Sequence, residues 1–132
     1  MKSIFEVKTT SKEEVLDITG KVSSIVAGSG VEEGICYVFV PHTTAGITIN
    51  ENADPDVKKD LLRGFDAMVP RDIRYDHSEG NSRAHIKTSL VGSSEAIIVS
   101  GGVLDLGTWQ GLYFCEFDGP RSRKVSVAVF SR

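Results

Sequence analysis

Cysteine, histidine and tryptophan are scarce in this 132-residue sequence, which has two cysteines, three histidines and one tryptophan. Cys36 and Cys115 stand far apart in apolar segments, so neither a CxxC redox pair nor a zinc-finger spacing is present. We therefore expect two buried free thiols. No Walker loop, Rossmann fingerprint or G-x-S-x-G elbow occurs, and the sequence thus lacks the signatures of nucleotide hydrolysis, dinucleotide redox chemistry and α/β-hydrolases.

An excess of positive charge is also missing. The net charge is −3, the pI is about 5.6, and the 15 lysines and arginines are dispersed along the chain. This distribution argues against a nucleic-acid partner. No run approaches the roughly 20 apolar residues of a membrane span, and the N-terminal residues do not resemble a signal peptide. We expect a cytoplasmic protein with no membrane partner and a single domain over residues 1–132.

The hydrophobic pattern predicts an α+β fold, a compact and mostly antiparallel β-sandwich-like domain with two longer helices and one short helix. A capping box at Ser11–Glu14 predicts a helix that ends by Gly28 to Gly30, and Asp54-Pro55 predicts a second helix that ends at Pro70. Asn81 is predicted to cap the short helix, with Gly92 as its αL terminator. Six strands are predicted at 3–9, 35–40, 47–50, 95–100, 112–118 and 123–130.

The strand at 35–40 and the last two strands lead to further predictions. Residues 35–40 are apolar at every position, which predicts a central strand covered on both faces, with Phe39 in the core. Pro41 ends that strand, so His42 is expected to emerge at its terminus beside a cleft. Residues 119–122 are predicted to form the turn of a hairpin between the last two strands.

The polar chemistry is concentrated in two runs, 42–54 and 75–87, which contain all three histidines. In an extended segment His77, Glu79 and Asn81 point to one side, where they could exchange a proton with a bound substrate. His77, Glu79 and His85 are therefore the candidate catalytic residues. The alternative is that Glu79 and Asn81 serve only to cap the short helix.

A divalent metal, zinc or magnesium, is the candidate cofactor. Three imidazoles, from His42, His77 and His85, can supply a tetrahedral zinc site with an open fourth position. Glu51 and Asn52 offer the oxygen ligands that magnesium favours. The alternative is that the three histidines are hydrogen-bonded loop residues.

Several further side chains are candidates for ligand binding. Trp109 could stack on a flat heterocycle, and a buried tryptophan in an ordinary loop is the alternative. Arg121, with Arg123 and Lys124, could bind phosphate, but a solvated hairpin tip is the favoured interpretation of these bases. The candidate substrate-binding residues are Thr43, Thr44, Glu51, Asn52, Asn81, Trp109, Gln110 and Arg121.

Four motifs, at 42–56, 77–85, 106–111 and 116–121, closely resemble the YjbQ family in order and spacing over nearly the whole chain. The resemblance implies a thiamine phosphate synthase-like transferase that joins a hydroxymethylpyrimidine diphosphate to a thiazole phosphate and releases pyrophosphate, as a secondary activity. It also implies a phosphorylated small-molecule substrate and a homotrimer or hexamer. The alternatives are a non-catalytic metal- or small-molecule-binding protein and a metal-dependent hydrolase of a phosphorylated metabolite.

Overall fold

A computed structural model describes residues 2–132, which form two antiparallel β-sheets and three helices. The elements in chain order are β1 (Lys2–Lys8), β2 (Glu14–Asp17), α1 (Thr19–Ser29), β3 (Gly34–Phe39), β4 (Ala45–Glu51), α2 (Pro55–Met68), α3 (Ser82–Val91), β5 (Ser94–Ser100), β6 (Val103–Leu104), β7 (Gln110–Glu116) and β8 (Ser122–Ser131). One sheet has the strand order β1-β8-β3-β5-β6 and the other the order β2-β7-β4. The α+β fold and the antiparallel pairing predicted from the sequence are confirmed.

The main core joins the two sheets and α1. Val38 of β3 is fully buried in one cluster with Ile47 of β4 and Phe114 of β7, and Val22 and Val26 of α1 belong to the same cluster. These strands alternate inward and outward residues, so each sheet contributes one apolar face. The cluster therefore fixes the position of β3 relative to β4, which matters for the residues that connect them.

The second face of β7 is covered as well. Tyr113 and Cys115 are buried there with Ala84 of α3. The rings of Phe65 on α2 and Phe117 pack edge to face, with centroids 5.9 Å apart. Helices α2 and α3 thus lie on the outer side of the three-stranded sheet. Cys36 and Cys115 are both free and buried, as predicted, and burial raises the pKa of their thiols to about 11 and about 12, respectively.

The prediction of a helix from Ser11 is wrong. The Glu14 carboxylate does accept hydrogen bonds from the backbone N–H groups of Thr10 and Ser11, at 2.7 and 2.6 Å. The chain then continues as β2, which pairs with β7, and the helix begins only at Thr19. The capping pattern therefore closes a local turn, while long-range strand pairing determines the structure of residues 14–17. The predicted end of this helix is confirmed, because Gly30 adopts a left-handed conformation at its C-cap.

Strand β3 is central in its sheet but is not covered on both faces, so that prediction is wrong. Cys36 and Val38 point into the core, whereas Ile35, Tyr37 and Phe39 are 44–47% exposed on the other face. Phe39 is consequently not a core residue. The apolar outer face, and not a second layer of this chain, explains why the strand is apolar at every position.

The predicted hairpin at 119–122 is also wrong. β7 belongs to the three-stranded sheet and β8 to the five-stranded sheet, so this connection carries the chain from one sheet to the other. Gly119 is required there, since a Cβ on it would lie 2.3 Å from the backbone oxygen of Ser11.

The other two helices begin where the sequence predicts. The Asp54 carboxylate accepts from the N–H of Asp56 at 2.9 Å, and Pro55 occupies the first helical position of α2. α3 begins after Asn81, but the side chain of Asn81 makes no capping bond, and Gly92 ends the helix with φ 95° and ψ 165°, outside the αL region. Within residues 2–132 no helix is long and apolar enough to cross a membrane.

Candidate functional site

A cleft of about 740 Å³ lies where several strand ends and one helix start come together. The end of β3 pairs with the start of β5, and the residues after β3 lead directly into β4. The loop between α2 and α3 and the link between β7 and β8 form the rest of the wall. The lining residues are Phe39, Val40, Pro41, His42, Thr43, Thr44, His77, Glu79, Asn81, His85, Ser93, Arg121 and Arg123.

His42 lies beside the cleft at the end of β3, as predicted. Its Nε2 accepts a hydrogen bond from the backbone N–H of Lys124 at 2.9 Å. Nε2 is thus unprotonated, so the neutral ring carries its proton on Nδ1 and remains a donor. Burial, together with the positive charge of Arg123, lowers the pKa of His42 below its ordinary value of 6.5.

Arg123, which lines the cleft, and Glu116 behind it form a buried ion pair, with side chains 5% and 0% exposed. Nε of Arg123 donates to Glu116 Oε1 at 2.9 Å, and Nη2 donates to Glu116 Oε2 and to Thr44 Oγ1. Burial alone would raise the pKa of Glu116, but hydrogen bonds from Arg123 and Thr9 outweigh it and hold the pKa below its usual value. The carboxylate is therefore charged, and it fixes the guanidinium.

Arg121 is held by Asp118 in a similar way. Its Nε donates to the Asp118 backbone oxygen at 2.7 Å and its Nη2 to Oδ2 at 2.9 Å. Burial would raise the pKa of Asp118, yet hydrogen bonds from Lys12, Asn81 and Arg121 hold it at about 2. Both cleft arginines thus engage a carboxylate-bearing residue through the Nε–Nη2 edge, which leaves the N–H groups of Nη1 for other partners.

His77 and His85 form the opposite part of the lining. Their rings are nearly perpendicular, at 88°, with centroids 5.1 Å apart. Glu79 Oε1 lies 4.0 Å from His77 Nε2, which is an electrostatic contact and not a hydrogen bond. The three predicted catalytic residues are therefore close together.

An ion-pair network holds α3, and with it His85, in place. Lys87 is only 2% exposed and binds Glu13 Oε2 at 2.6 Å and Asp66 Oδ1 at 3.2 Å. Arg83 also binds Asp66, at 2.8 Å. Asp66 lies on α2, so this network joins α3 to α2 and to the segment before β2. It positions the helix that carries His85 without contributing to the cleft itself.

Eight of the predicted site residues line the cleft, but four do not. Those that line it are His42, Thr43, Thr44, His77, Glu79, Asn81, His85 and Arg121. The structure does not bring Glu51, Asn52, Trp109 or Gln110 to it. β4 separates the two groups, because its seven residues span roughly 20 Å at about 3.4 Å per residue.

The four remaining residues form a cluster of their own at the far end of β4. Glu51 pairs with Gln110 across β4 and β7, and the N–H of Asn52 donates to the Trp109 backbone oxygen at 2.9 Å. Trp109 itself is 63% exposed. Because these four residues lie away from the cleft, the structure gives no support for their predicted roles in ligand binding.

The three histidines line one cleft but do not form a metal-ligand set. Within residues 2–132 no group of three or more His, Cys, Asp or Glu side chains could hold a metal ion. In addition, the hydrogen bond from Lys124 occupies Nε2 of His42. The zinc or magnesium cofactor stays a prediction, and the chemistry proposed for the cleft uses only the side chains of this chain.

The sequence pattern does not reveal the charged pairs that support the cleft. It places Arg123 in a basic turn and Glu116 and Asp118 in a strand, without joining them. A carboxylate at the end of an otherwise apolar strand, followed by Arg121 and Arg123, is the available signal. The two carboxylates also accept hydrogen bonds from distant residues, Glu116 from Thr9 and Asp118 from Lys12, each more than 100 residues away in the chain.

The chain matches known proteins over almost its full length. Residues 3–132 match the model of the family described as UPF0047 protein YjbQ-like. The UPF0047 protein YugU of Bacillus subtilis is 55% identical over 98% of both chains, and a UPF0047 protein of Methanocaldococcus jannaschii is 51% identical over 95% of this chain and 91% of its own.

Solved structures share the fold. An uncharacterised YjbQ/UPF0047 family protein from Clostridium acetobutylicum is 55% identical with a TM-score of 0.94, covering 97% of this chain and 99% of its own. A protein of unknown function from Sulfolobus solfataricus is 32% identical, also with a TM-score of 0.94, covering 100% and 97%.

The expected thiamine phosphate synthase-like transferase is wrong. These relatives and structures are described only by their family or as being of unknown function, and the transferase activity does not appear in those descriptions. The structure gives a physical reason as well. Trp109, expected to stack on the pyrimidine, and Glu51 and Asn52, expected to hold magnesium for the diphosphate, lie outside the cleft.

Proposed function

The chain belongs to the YjbQ-like UPF0047 family, and from the residues that line its cleft we propose that it binds a small phosphorylated ligand there through arginine and histidine side chains. One observation carries the proposal. Arg121 and Arg123 are each fixed through one edge, and both line the same cleft as a neutral His42 with a donor on Nδ1.

Fixed guanidinium groups suit a phosphate better than free ones. A guanidinium donates charge-assisted hydrogen bonds to phosphate, and anchoring by Glu116 and Asp118 reduces the side-chain entropy lost when an anion binds to the remaining N–H groups. The carboxylates also prevent a strongly positive surface, which is consistent with a net charge of −3. The preference is thus for a small anion seated in the cleft and not for an extended polyanion.

The histidine pair adds proton transfer to this site. His77 and His85 contact each other, and Glu79 lies next to His77. A phosphate group held by the arginines would lie beside two imidazole rings, a side-chain type that serves as a general acid or base. In the proposal, His85 and His77 exchange a proton with the ligand, and Glu79 orients His77.

Calorimetric titration with inorganic phosphate tests the binding step. Parent protein should bind phosphate, and Arg121→Gln should bind it about 10- to 100-fold more weakly, since a hydrogen bond to a charged group contributes about 1.5–3 kcal/mol. Arg63→Gln is the matched control, because Arg63 is an exposed, ion-paired arginine on α2 outside the cleft. Equal binding by all three proteins would overturn the assignment of Arg121.

We further propose that copies of this chain cover the outer face of the five-stranded sheet in a homotrimer or hexamer. Large apolar side chains meet there across β5, β3 and β8, where Ile35 pairs with both Ile98 and Phe130, and these three side chains are 47–61% exposed. Neighbouring exposed apolar side chains of this kind often mark a protein–protein interface. The patch extends through Tyr37 to Phe39, which lines the cleft, so a second copy seated on it would reach the cleft edge.

A further inference from the structure

We infer that the ligand carries a hydroxyl group in addition to its phosphate, and that Thr88 recognises this hydroxyl in a second lobe on the far side of His85. This inference rests on the proposed phosphate site. The second lobe has a volume of about 450 Å³. His42, Thr43, His85 and Ser93 line both lobes, so the two lobes are neighbours that share part of their walls.

Helix α3 presents its polar residues along this cleft. Asn81, His85 and Thr88 are spaced by four and three residues, which places them on one face of the helix. Asn81 lines the first lobe, His85 lines both, and Thr88 lines the second. A single ligand lying along α3 would therefore pass all three side chains.

Thr88 is in an unusual state for a buried polar residue. It is 7% exposed, and its Oγ1 is buried without a hydrogen-bond partner. A helical threonine hydroxyl commonly bonds the carbonyl four residues earlier, which here belongs to Ala84, and no such bond forms. Buried hydroxyls without partners are rare because desolvation is not compensated. The site thus retains a hydroxyl that the fold itself does not use.

A change of rotamer would turn this hydroxyl towards the lobe. Rotation about χ1 by about 120° moves Oγ1 to the place that the methyl group held and the methyl group to the place of Hβ, and no hydrogen bond is lost because Oγ1 has none. The surrounding backbone is fixed, since a Cβ on Gly46 of β4 would lie 2.5 Å from the Gly92 oxygen at the end of α3. Ile47 N–H also donates to that oxygen, at 3.0 Å. The lobe is therefore a rigid pocket with one adjustable polar group.

Asn81, at the N-terminal end of the same face of α3, also has a buried polar atom without a partner. Its Nδ2 donates to Asp118 at 2.9 Å, while its Oδ1 is buried without a partner. An amide oxygen can only accept, so a donor group on the ligand would suit it, whereas the Thr88 hydroxyl can donate and accept. Ligand hydroxyls satisfy both. The geometry points to a polyhydroxylated phosphate monoester as the chemical class.

Two phosphate esters of equal charge and chain length test the inference by calorimetry, namely glycerol 3-phosphate, which has two free hydroxyls, and propyl phosphate, which has none. Parent protein should bind the glycerol ester at least about five- to tenfold more tightly, since the hydrogen bond to Thr88 alone has about that effect. Thr88→Val, which replaces the hydroxyl with a methyl group, should bind propyl phosphate like the parent but lose the roughly five- to tenfold part of the preference that comes from Thr88. Thr88→Ser, which keeps the hydroxyl, should retain it.

The outcomes separate this inference from the phosphate site on which it rests. If the parent binds both esters equally, or if Thr88→Val keeps the full preference, the inference is overturned while the phosphate site stands. If neither ester nor inorganic phosphate binds the parent, both fail. The melting temperature of Thr88→Val without ligand should be no lower than that of the parent; a clear decrease would show that the hydroxyl serves the fold and would also overturn the inference.

Discussion

Nε2 of His42 accepts a hydrogen bond from the backbone N–H of Lys124, and this bond links one cleft histidine to the backbone of β8. Protonation of Nε2 would break the bond and place a positive charge near Arg123 and Arg121, both of which lower the pKa of His42. The neutral ring is therefore part of the folded structure.

Stability should consequently decrease as the pH falls. The folded-state pKa of His42 lies below 6.5, so the unfolded chain takes up more protons in this range. The stabilisation that comes from neutral His42 is complete above pH 6.5 and is lost as the pH drops towards the lowered pKa. Urea unfolding of the parent and of His42→Asn, which cannot titrate but can still accept from Lys124, checks this prediction. The parent should lose stability relative to the variant on acidification, and parallel curves would contradict it.

Glu116→Gln should destabilise the protein by about 3–5 kcal/mol, because removing one charge of a buried pair leaves Arg123 uncompensated. The free energy of unfolding from urea titration measures the effect. Glu32→Gln is the control at an exposed glutamate and should stay within about 0.5 kcal/mol of the parent. A small effect of Glu116→Gln would mean that Arg123 is not fixed by this pair.

His85→Ala should abolish phosphate binding but change the free energy of unfolding by less than about 1 kcal/mol. The side chain lines both lobes, whereas the hydrogen bond that Ser89 donates to residue 85 uses the backbone oxygen and survives the substitution. Calorimetric titration and thermal unfolding of the same sample check both parts. Strong destabilisation with intact binding would make His85 a structural residue.

Ile98→Lys should dissociate the proposed oligomer. The side chain is 61% exposed on the apolar sheet face beside Ile35, and a lysine there would bury a charge between copies of the chain. Sedimentation velocity should show a trimer or hexamer for the parent and a smaller species for the variant. Ile73→Lys is the control, since Ile73 is 54% exposed in a loop away from that face. A monomeric parent would contradict the proposal.

Sequence patterns predict the elements that depend on local signals. Asp54-Pro55 fixes the start of α2 because both residues act within one helical turn, and the unusual density of polar residues around His77 and His85 marks the cleft. The same kind of signal fails at Ser11, where Glu14 closes a turn and β2 then forms by pairing with β7. A capping motif describes only neighbouring residues and therefore cannot predict the pairing of β2 with a distant strand.

The rest of the site depends on contacts across the chain. Arg123 acquires its role from Glu116 and Thr44, and no spacing in the sequence predicts that pairing. The sequence predicts Glu51 at the site because Glu51 is close to Thr44 in the chain, and it predicts Trp109 there because Trp109 lies in a glycine-rich motif. The length of β4 places both residues at the opposite end of the sheet.

A titration of isotope-labelled protein with inorganic phosphate, followed by two-dimensional proton–nitrogen NMR, locates the phosphate site without any substitution. The two reporters lie at opposite ends of β4, namely the Lys124 amide, bonded to His42, and the exposed indole N–H of Trp109. Binding in the cleft predicts a saturable shift of the Lys124 amide while the indole signal stays in place. A saturable shift of the Trp109 indole with an unchanged Lys124 amide would contradict it.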